Sequence, residues 1–344
     1  MIGRRIRTSL FFTLLALLVA LPVAAQQVPG QQEDLRLTAV DAAAFPTVAV
    51  RVLTTGAGIA PVADLSRLVL RENGVPIPDT TTARVPVGAD VVLVLDANAD
   101  YLQFDDNSGL SRRDKVAASV GRFAGQFMNP AGLDRVTIIA PDETGEAPAF
   151  LLRDATRPDE VTAAIEAYTP TAPRATPLND MLAAAIDHLA AGGDDRFRAV
   201  LLYTDGARLN SQLDYPALVE PALTAGIPLY AAILGVEASS EELANVTGLT
   251  EPTNGLAVHM PEPEAADPLF AIFQAQGQQT ELTYPSTLRQ NGTQEVSVSL
   301  GNVRDTATFD LTLAAPEVAP TAARTTVRRA GSAVGCSGPN NAAA

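Results

Sequence analysis

The chain has 344 residues, of which 47% are hydrophobic, 18% charged and 5% aromatic, so it can bury a large core over most of its length. Its 39 acidic against 24 basic residues give a formal charge of −15, which repels phosphate backbones and anionic lipid and argues against nucleic acid as a partner. Cys336, His188, His259 and Lys115 are its only Cys, His and Lys residues, which excludes an internal disulfide and a cysteine zinc site and disfavours lysine chemistry.

Arg4, Arg5 and Arg7 precede an apolar run from Leu10 to Val23 that closes on Ala24-Ala25 before Gln26. That order reads as a secretory signal peptide over 1–25, cleaved after Ala25. The competing reading is an uncleaved anchor helix, because the run is nearly long enough to span a bilayer. Cleavage predicts an exported protein (secreted, periplasmic or at the cell surface) with no membrane span after signal removal.

Residues 26–88 read as an N-terminal β region. Thr47 to Val52 alternates, and Asn73-Gly74 between Leu70 and Val75 signals a hairpin turn. Residues 89–278 change grammar. The apolar run Val91 to Leu95 marks a strand buried on both faces, and Val116, Val120, Phe123 and Phe127 follow at helical spacing. Further strands are expected at Val136 to Ala140, Phe150 to Leu152, Val200 to Tyr203 and Ile227 to Leu234. Helices are expected from about Pro158 to Tyr168, along Leu178 to Leu189, and over Ser239 to Val246 and Glu262 to Gln276. The alternation predicts an α/β fold, a doubly wound, Rossmann-like parallel sheet. Period two returns in 279–313, at Val296, Val298 and Leu300 and again at Phe309, Leu311 and Leu313. The economical arrangement pairs these strands with 26–88, making the α/β part an insertion into a small sandwich. Residues 314–344, rich in Ala, Pro, Thr and Gly without periodicity, read as a disordered tail.

Three oxygen-bearing segments occupy special places in the α/β part. Asp96-Ala97-Asn98-Ala99-Asp100 follows the first buried strand, and Thr204-Asp205-Gly206 follows a later one. In Thr176-Pro177-Leu178, Thr176 is expected to cap a helix whose first position is Pro177. Ligands of open parallel sheets bind outside the carboxyl ends of the strands, so the three can converge there as hard oxygen ligands for Mg²⁺ or Ca²⁺.

These segments, with Leu133-Asp134-Arg135-Val136 and Leu201-Leu202-Tyr203 before Thr204, make residues 89–278 resemble the von Willebrand factor type A domain family. That family carries a metal-ion-dependent adhesion site built from Asp-x-Ser-x-Ser, a Thr and a later Asp. Asp96, Thr176 and Asp205 match it, whereas Asn98 and Asp100 stand at the serine positions. The resemblance implies a non-catalytic binding or adhesion module for a protein ligand, acting through a divalent cation. Carried over, the metal shell is Asp96, Asn98, Asp100, Thr176 and Asp205. Three carboxylates and longer side chains predict Ca²⁺ over Mg²⁺ and a weaker pull on an acidic partner residue. The alternatives are a scaffold whose metal site has decayed and a phosphatase of the haloacid-dehalogenase type. The phosphatase reading conflicts with Asn98 at the proton-donor position and with Lys115 inside the first helix.

Smaller signals were read as structural. Asp96-x-Asn98-x-Asp100 begins like an EF-hand loop, but Tyr101 and Asn107 replace its Gly and closing Glu. Asp105-Asp106 reads as a solvated loop, His188 as part of a solvated helix flank, and His259 as an ordinary strand residue. Asn245 and Asn291 begin glycosylation-type tripeptides, a pattern common by chance.

Overall fold

The computed structural model describes residues 33–55, 62, 64–207 and 209–313; the leader and tail readings lie outside the described residues. In chain order the strands are β1 (Asp34–Asp41), β2 (Thr47–Thr55), β3 (Leu68–Glu72), β4 (Val75–Pro76), β5 (Thr81–Pro86), β6 (Ala89–Leu95) and β7 (Arg135–Pro141). There follow β8 (Pro148–Ala155), β9 (Phe197–Thr204), β10 (Leu229–Leu234), β11 (Ala257–Met260), β12 (Gln278–Pro285), β13 (Gly292–Leu300) and β14 (Val303–Leu311). The main helices are α1 (Arg112–Arg122), α2 (Pro158–Ala167), α3 (Leu178–Ala191), α4 (Tyr215–Ala225), α5 (Ser240–Thr250) and α6 (Asp267–Gln276).

Strands from both ends of the chain share two four-stranded sheets, ordered β1-β2-β12-β5 and β14-β13-β3-β4. Thr280 of β12 lies opposite both Val52 of β2 and Arg84 of β5, and Val298 of β13 lies opposite Leu70 of β3. Alternating positions send Val48, Val50, Val52, Leu282 and Tyr284 inward against Leu70, Val296, Val298 and Leu300. The buried Glu72 carboxylate in this layer accepts from the Tyr284 hydroxyl at 2.7 Å and the Ser286 hydroxyl at 3.0 Å. The β3–β4 turn uses Asn73 at φ 48° and Gly74 at φ 79°, the two positive values that a tight hairpin needs.

The α/β body leaves the first sheet after β5 and returns at β12. At this neck Val87 and Gly88 N–H both donate to the Gly277 carbonyl, at 2.9 and 3.0 Å. Gly88 sits at φ +90°, and a Cβ there would lie 2.3 Å from the Leu133 carbonyl oxygen, so no other residue fits without moving backbone. The body's sheet runs β11-β10-β9-β6-β7-β8. Every neighbour is parallel except β7 with β8, which are antiparallel. The doubly wound parallel sheet is thus as expected, with one antiparallel edge strand added: the loop from Pro141 to Pro148 is too short for a crossover and makes a hairpin turn around the Asp142 carboxylate.

Strands β6, β9 and β10 are buried along their whole length, which is why they read as unbroken apolar runs. Helices α1, α2 and α6 cover one face through residues such as Val120, Ile165 and Phe270. Helices α3, α4 and α5 cover the other through Leu182, Leu218 and Val246. Chain direction across the sheet reverses between β6 and β9, which places the switch point at the sheet's centre. Among the described residues, no helix is long and apolar enough to cross a membrane.

Candidate functional site

The switch point brings the expected segments together. Asp96 follows β6 and Asp205 follows β9, and the Asp96 N–H donates to the Tyr203 carbonyl at 2.9 Å, which locks the two strand exits side by side. The Asp96 carboxylate is buried and accepts from two hydroxyls, Thr176 to Oδ1 at 2.6 Å and Thr204 to Oδ2 at 2.7 Å. Thr176 is thus a clamp on Asp96 rather than the expected helix cap. Pro177 occupies the cap position of α3, and no side-chain cap bond forms there.

Asn98 and Asp205 form the second half of the site. Asn98 Oδ1 accepts from the Asp100 N–H at 2.9 Å, which fixes the amide so that its nitrogen faces Asp205 Oδ2 at 3.3 Å. Asp205 Oδ1 accepts from the Ala207 N–H at 2.9 Å. The fifth expected ligand, Asp100, turns its carboxylate to the amide of Gln103 on the exposed side. Gly206 sits at φ +73° with Glu242 packed against its Cβ direction, so the loop after β9 can hug α5 only with glycine there.

A residue the motifs did not single out completes the site. Arg112, the first residue of α1, sends its guanidinium back over the sheet edge. Its Nε donates to both oxygens of Asp105, at 3.0 and 2.8 Å, and its Nη1 lies 3.5 Å from Asp205 Oδ2. Gly235, which turns the chain at φ +114° after β10, lies next to this guanidinium. Burial opposes the charge on Arg112, yet the hydrogen bond to Asp105 and the fields of Asp105, Asp205 and Asp100 outweigh it and raise its pKa.

Three structural readings are corrected here. Asp105 is not solvated: its side chain is 11% exposed and paired with Arg112. Asp106 keeps one side toward solvent but is not free in it, because it accepts from the Lys115 ammonium, itself buried at 2% exposure and also donating to the Pro261 carbonyl at 2.7 Å. His188 is no solvated flank: its Nε2 contacts Thr137 Oγ1 at 3.1 Å and Asp154 Oδ1 at 3.0 Å. His259 behaves as expected, a strand residue whose Nε2 meets the Gly235 carbonyl at 2.8 Å. Asn245, buried in α5 with its amide donating to the Gly206 carbonyl, is no accessible acceptor.

A divalent ion needs oxygen lone pairs aimed at one point, at about 2.0–2.6 Å. In this arrangement an amide nitrogen and a guanidinium face Asp205 Oδ2, each Asp96 oxygen accepts from a threonine hydroxyl, and Asp100 Oδ1 accepts from the Gln103 amide. Among the described residues, no group of three or more His, Cys, Asp or Glu is placed to hold a metal. The donor set does not fit Ca²⁺ or Mg²⁺ in the shell expected from the sequence.

No family model and no curated protein matches the chain. Among solved structures it is similar to a von Willebrand factor type A protein from Catenulispora acidiphila, at 9% identity over 83% of this chain and 74% of that one, with a TM-score of 0.42. It is similar to the pilus adhesin SpaC from Lactobacillus rhamnosus GG, at 12% identity over 81% of this chain and 47% of that one, TM-score 0.42. A third is the manganese-loaded TRAP protein of Plasmodium vivax, at 12% identity over 68% of this chain and 97% of that one, TM-score 0.39. These likenesses concern the fold; the chemistry of the site is read from this chain's own residues.

Proposed function

We propose that the chain is an exported, non-catalytic binding or adhesion module that captures a protein ligand at the carboxyl edge of its parallel sheet. One observation carries this reading. A buried, hydrogen-bonded polar network at the switch point is bordered by a loop that leaves Leu102 45%, Phe104 65% and Leu110 38% exposed. Large apolar side chains held beside a rigid polar centre are the composition of a recognition surface, an anchor beside groups that set orientation. The basic, apolar and small-residue order of residues 1–25 supports export.

The phosphatase alternative loses ground on geometry. A carboxylate nucleophile needs a free oxygen and a cation free to take the phosphate, whereas Asp96 accepts from Thr176 and Thr204, Lys115 is engaged with Asp106 and Pro261, and Arg112 is paired with Asp105 and Asp205.

The test is selection of a random phage-displayed peptide library on the full chain, followed by binding to a Phe104→Ser variant. The expected result is a set of binders that lose tenfold or more in affinity on that variant, about 1.4 kcal/mol or more. Binders indifferent to both Phe104→Ser and Leu110→Ser would place the working surface elsewhere. Turnover of p-nitrophenyl phosphate that disappears in Asp96→Asn would restore the enzyme.

A further inference from the structure

The misfit between the donor set and a divalent ion has a positive counterpart in Arg112. We infer that the Arg112 guanidinium is the tethered cation of this site, standing where a bound divalent ion would otherwise offset the carboxylates, so that the edge is assembled without metal. Three observations carry this. The guanidinium touches two carboxylates from different segments, Asp105 in the loop before α1 and Asp205 after β9, as a bridging ion would. It is largely enclosed, its side chain 15% exposed against 11% and 7% for its two partners. Its place on the helix is also unfavourable: a cation at the first position of α1 faces the positive end of the helix dipole. The helix accepts that because the two carboxylates overcome it.

The chemistry differs from that of an ion in three ways. Arginine stays protonated at any physiological pH, so the positive charge is permanent. Being covalently attached, it loses no translational freedom on docking and does not depend on metal supply. It also carries one charge where Ca²⁺ carries two, and its N–H groups can only donate, so it cannot present an open coordination position to a partner's carboxylate. Recognition at this edge therefore runs through hydrogen bonds and apolar contact, and a chelator leaves it unchanged.

The inference concerns the same edge as the proposed binding reading, but its test reads ion binding and is independent of whether any peptide binds. Thermal melts of the full chain are compared at constant ionic strength with millimolar CaCl₂, MgCl₂ or EDTA, for wild type, Arg112→Met and Arg112→Gln. Wild type is expected to melt at the same temperature in all three. The variants, left with Asp105 and Asp205 uncompensated, are expected to melt lower in EDTA and to rise with calcium concentration, because an ion that binds only the native state must raise the midpoint. Adding Asp205→Asn to Arg112→Met should remove that rise. A calcium-dependent rise in wild type overturns the inference, as does a folded Arg112→Met or Arg112→Gln with no response to either ion. A response that survives Asp205→Asn overturns it too, since the ion would then sit elsewhere. Should Arg112→Met not fold, the isopolar Arg112→Gln carries the same readout.

Discussion

At the entry end of the parallel sheet one carboxylate, Asp90, lies between two guanidiniums: Arg135 donates to it at 2.8 and 2.5 Å and Arg196 at 2.9 Å. At the exit end one guanidinium, Arg112, lies between two carboxylates, Asp105 and Asp205, with the buried Asp96 nearby, directly after β6. In the entry cluster positive charge exceeds negative. Arg196 Nη2 also donates to the Val87 and Leu133 carbonyls, both at 2.7 Å, tying the neck of the insertion to the start of β7. Next to it the buried Arg198 donates to the carbonyls of Leu189, Gly193 and Ala225, closing the carboxyl ends of α3 and α4. The exit cluster is short of positive charge and bordered by exposed apolar side chains. Similar residue types in opposite proportion thus make a structural rivet at one end and a recognition edge at the other.

The sharpest way to break this comparison is to remove the acid at the entry end. Asp90→Ala strips the charge from between Arg135 and Arg196, one of which is only 16% exposed. Removing one partner of a buried pair costs about 3–5 kcal/mol, and the partial exposure of Arg135 argues for the lower figure of about 3 kcal/mol. Urea titration reads this as a lower midpoint at unchanged slope. A loss below about 1 kcal/mol would mean that the entry cluster is no rivet.

A smaller loss is expected from Thr176→Val, which keeps shape and removes the hydroxyl that donates to Asp96 at 2.6 Å. A hydrogen bond to a charged group contributes about 1.5–3 kcal/mol, so the same titration should show a loss near 2 kcal/mol. An unchanged midpoint would make Thr176 a bystander to Asp96.

The contrast also explains what could be read from the chain alone. Both strand-terminal aspartates were legible because β6 and β9 are buried on two faces and so have a strong signature, ending where Asp96 and Asp205 begin. The Asn73-Gly74 hairpin was legible for a local reason, its two positive φ values. Arg112 was not. Beside Arg113 at a helix start it looks like solvated charge, and only the tertiary approach of Asp105 and of Asp205 after β9 holds it inward. Asp105 was misread for the same reason, since its burial depends on Arg112. Thr176 carried a cap-like sequence, but a buried carboxylate at 2.6 Å is a stronger attractor than the amides of the first turn of α3. The antiparallel β8 was readable in principle from the short span between Pro141 and Pro148.

Asp205→Asn sharpens the comparison from the other side. It keeps the side chain's shape but removes one of several clustered negative charges. Lost attraction to Arg112 is offset by relief of repulsion from neighbouring carboxylates, so the expected change is within about 1 kcal/mol of wild type. This should hold although Asp205 is as buried as Asp90, both being 7% exposed. A loss as large as that of Asp90→Ala would show that the exit cluster is as much a structural rivet as the entry one.

The smallest effect is expected at the margin of the exit edge, where Asp106 meets the buried Lys115. The hydrogen bond from Lys115, helped by Ser108, brings the Asp106 carboxyl from an ordinary 3.8 down to about 2. A carboxylate whose folded pKa lies below its unfolded one binds fewer protons when folded. The pair therefore contributes stability that is fully present above about pH 4 and is lost as the pH falls through about 2. Asp106→Asn removes this contribution and leaves Lys115 with the Pro261 carbonyl and Glu262 at 4.0 Å. Wild type should then melt above Asp106→Asn at pH 6, with the gap constant down to about pH 4 and closing between pH 4 and pH 2. Because Asp106 is partly open to solvent, the gap should be smaller than that produced by Thr176→Val. A gap that persists unchanged to pH 2 would mean that the Asn variant loses packing rather than charge, and the Lys115 pair would then belong with the structural contacts of the entry end.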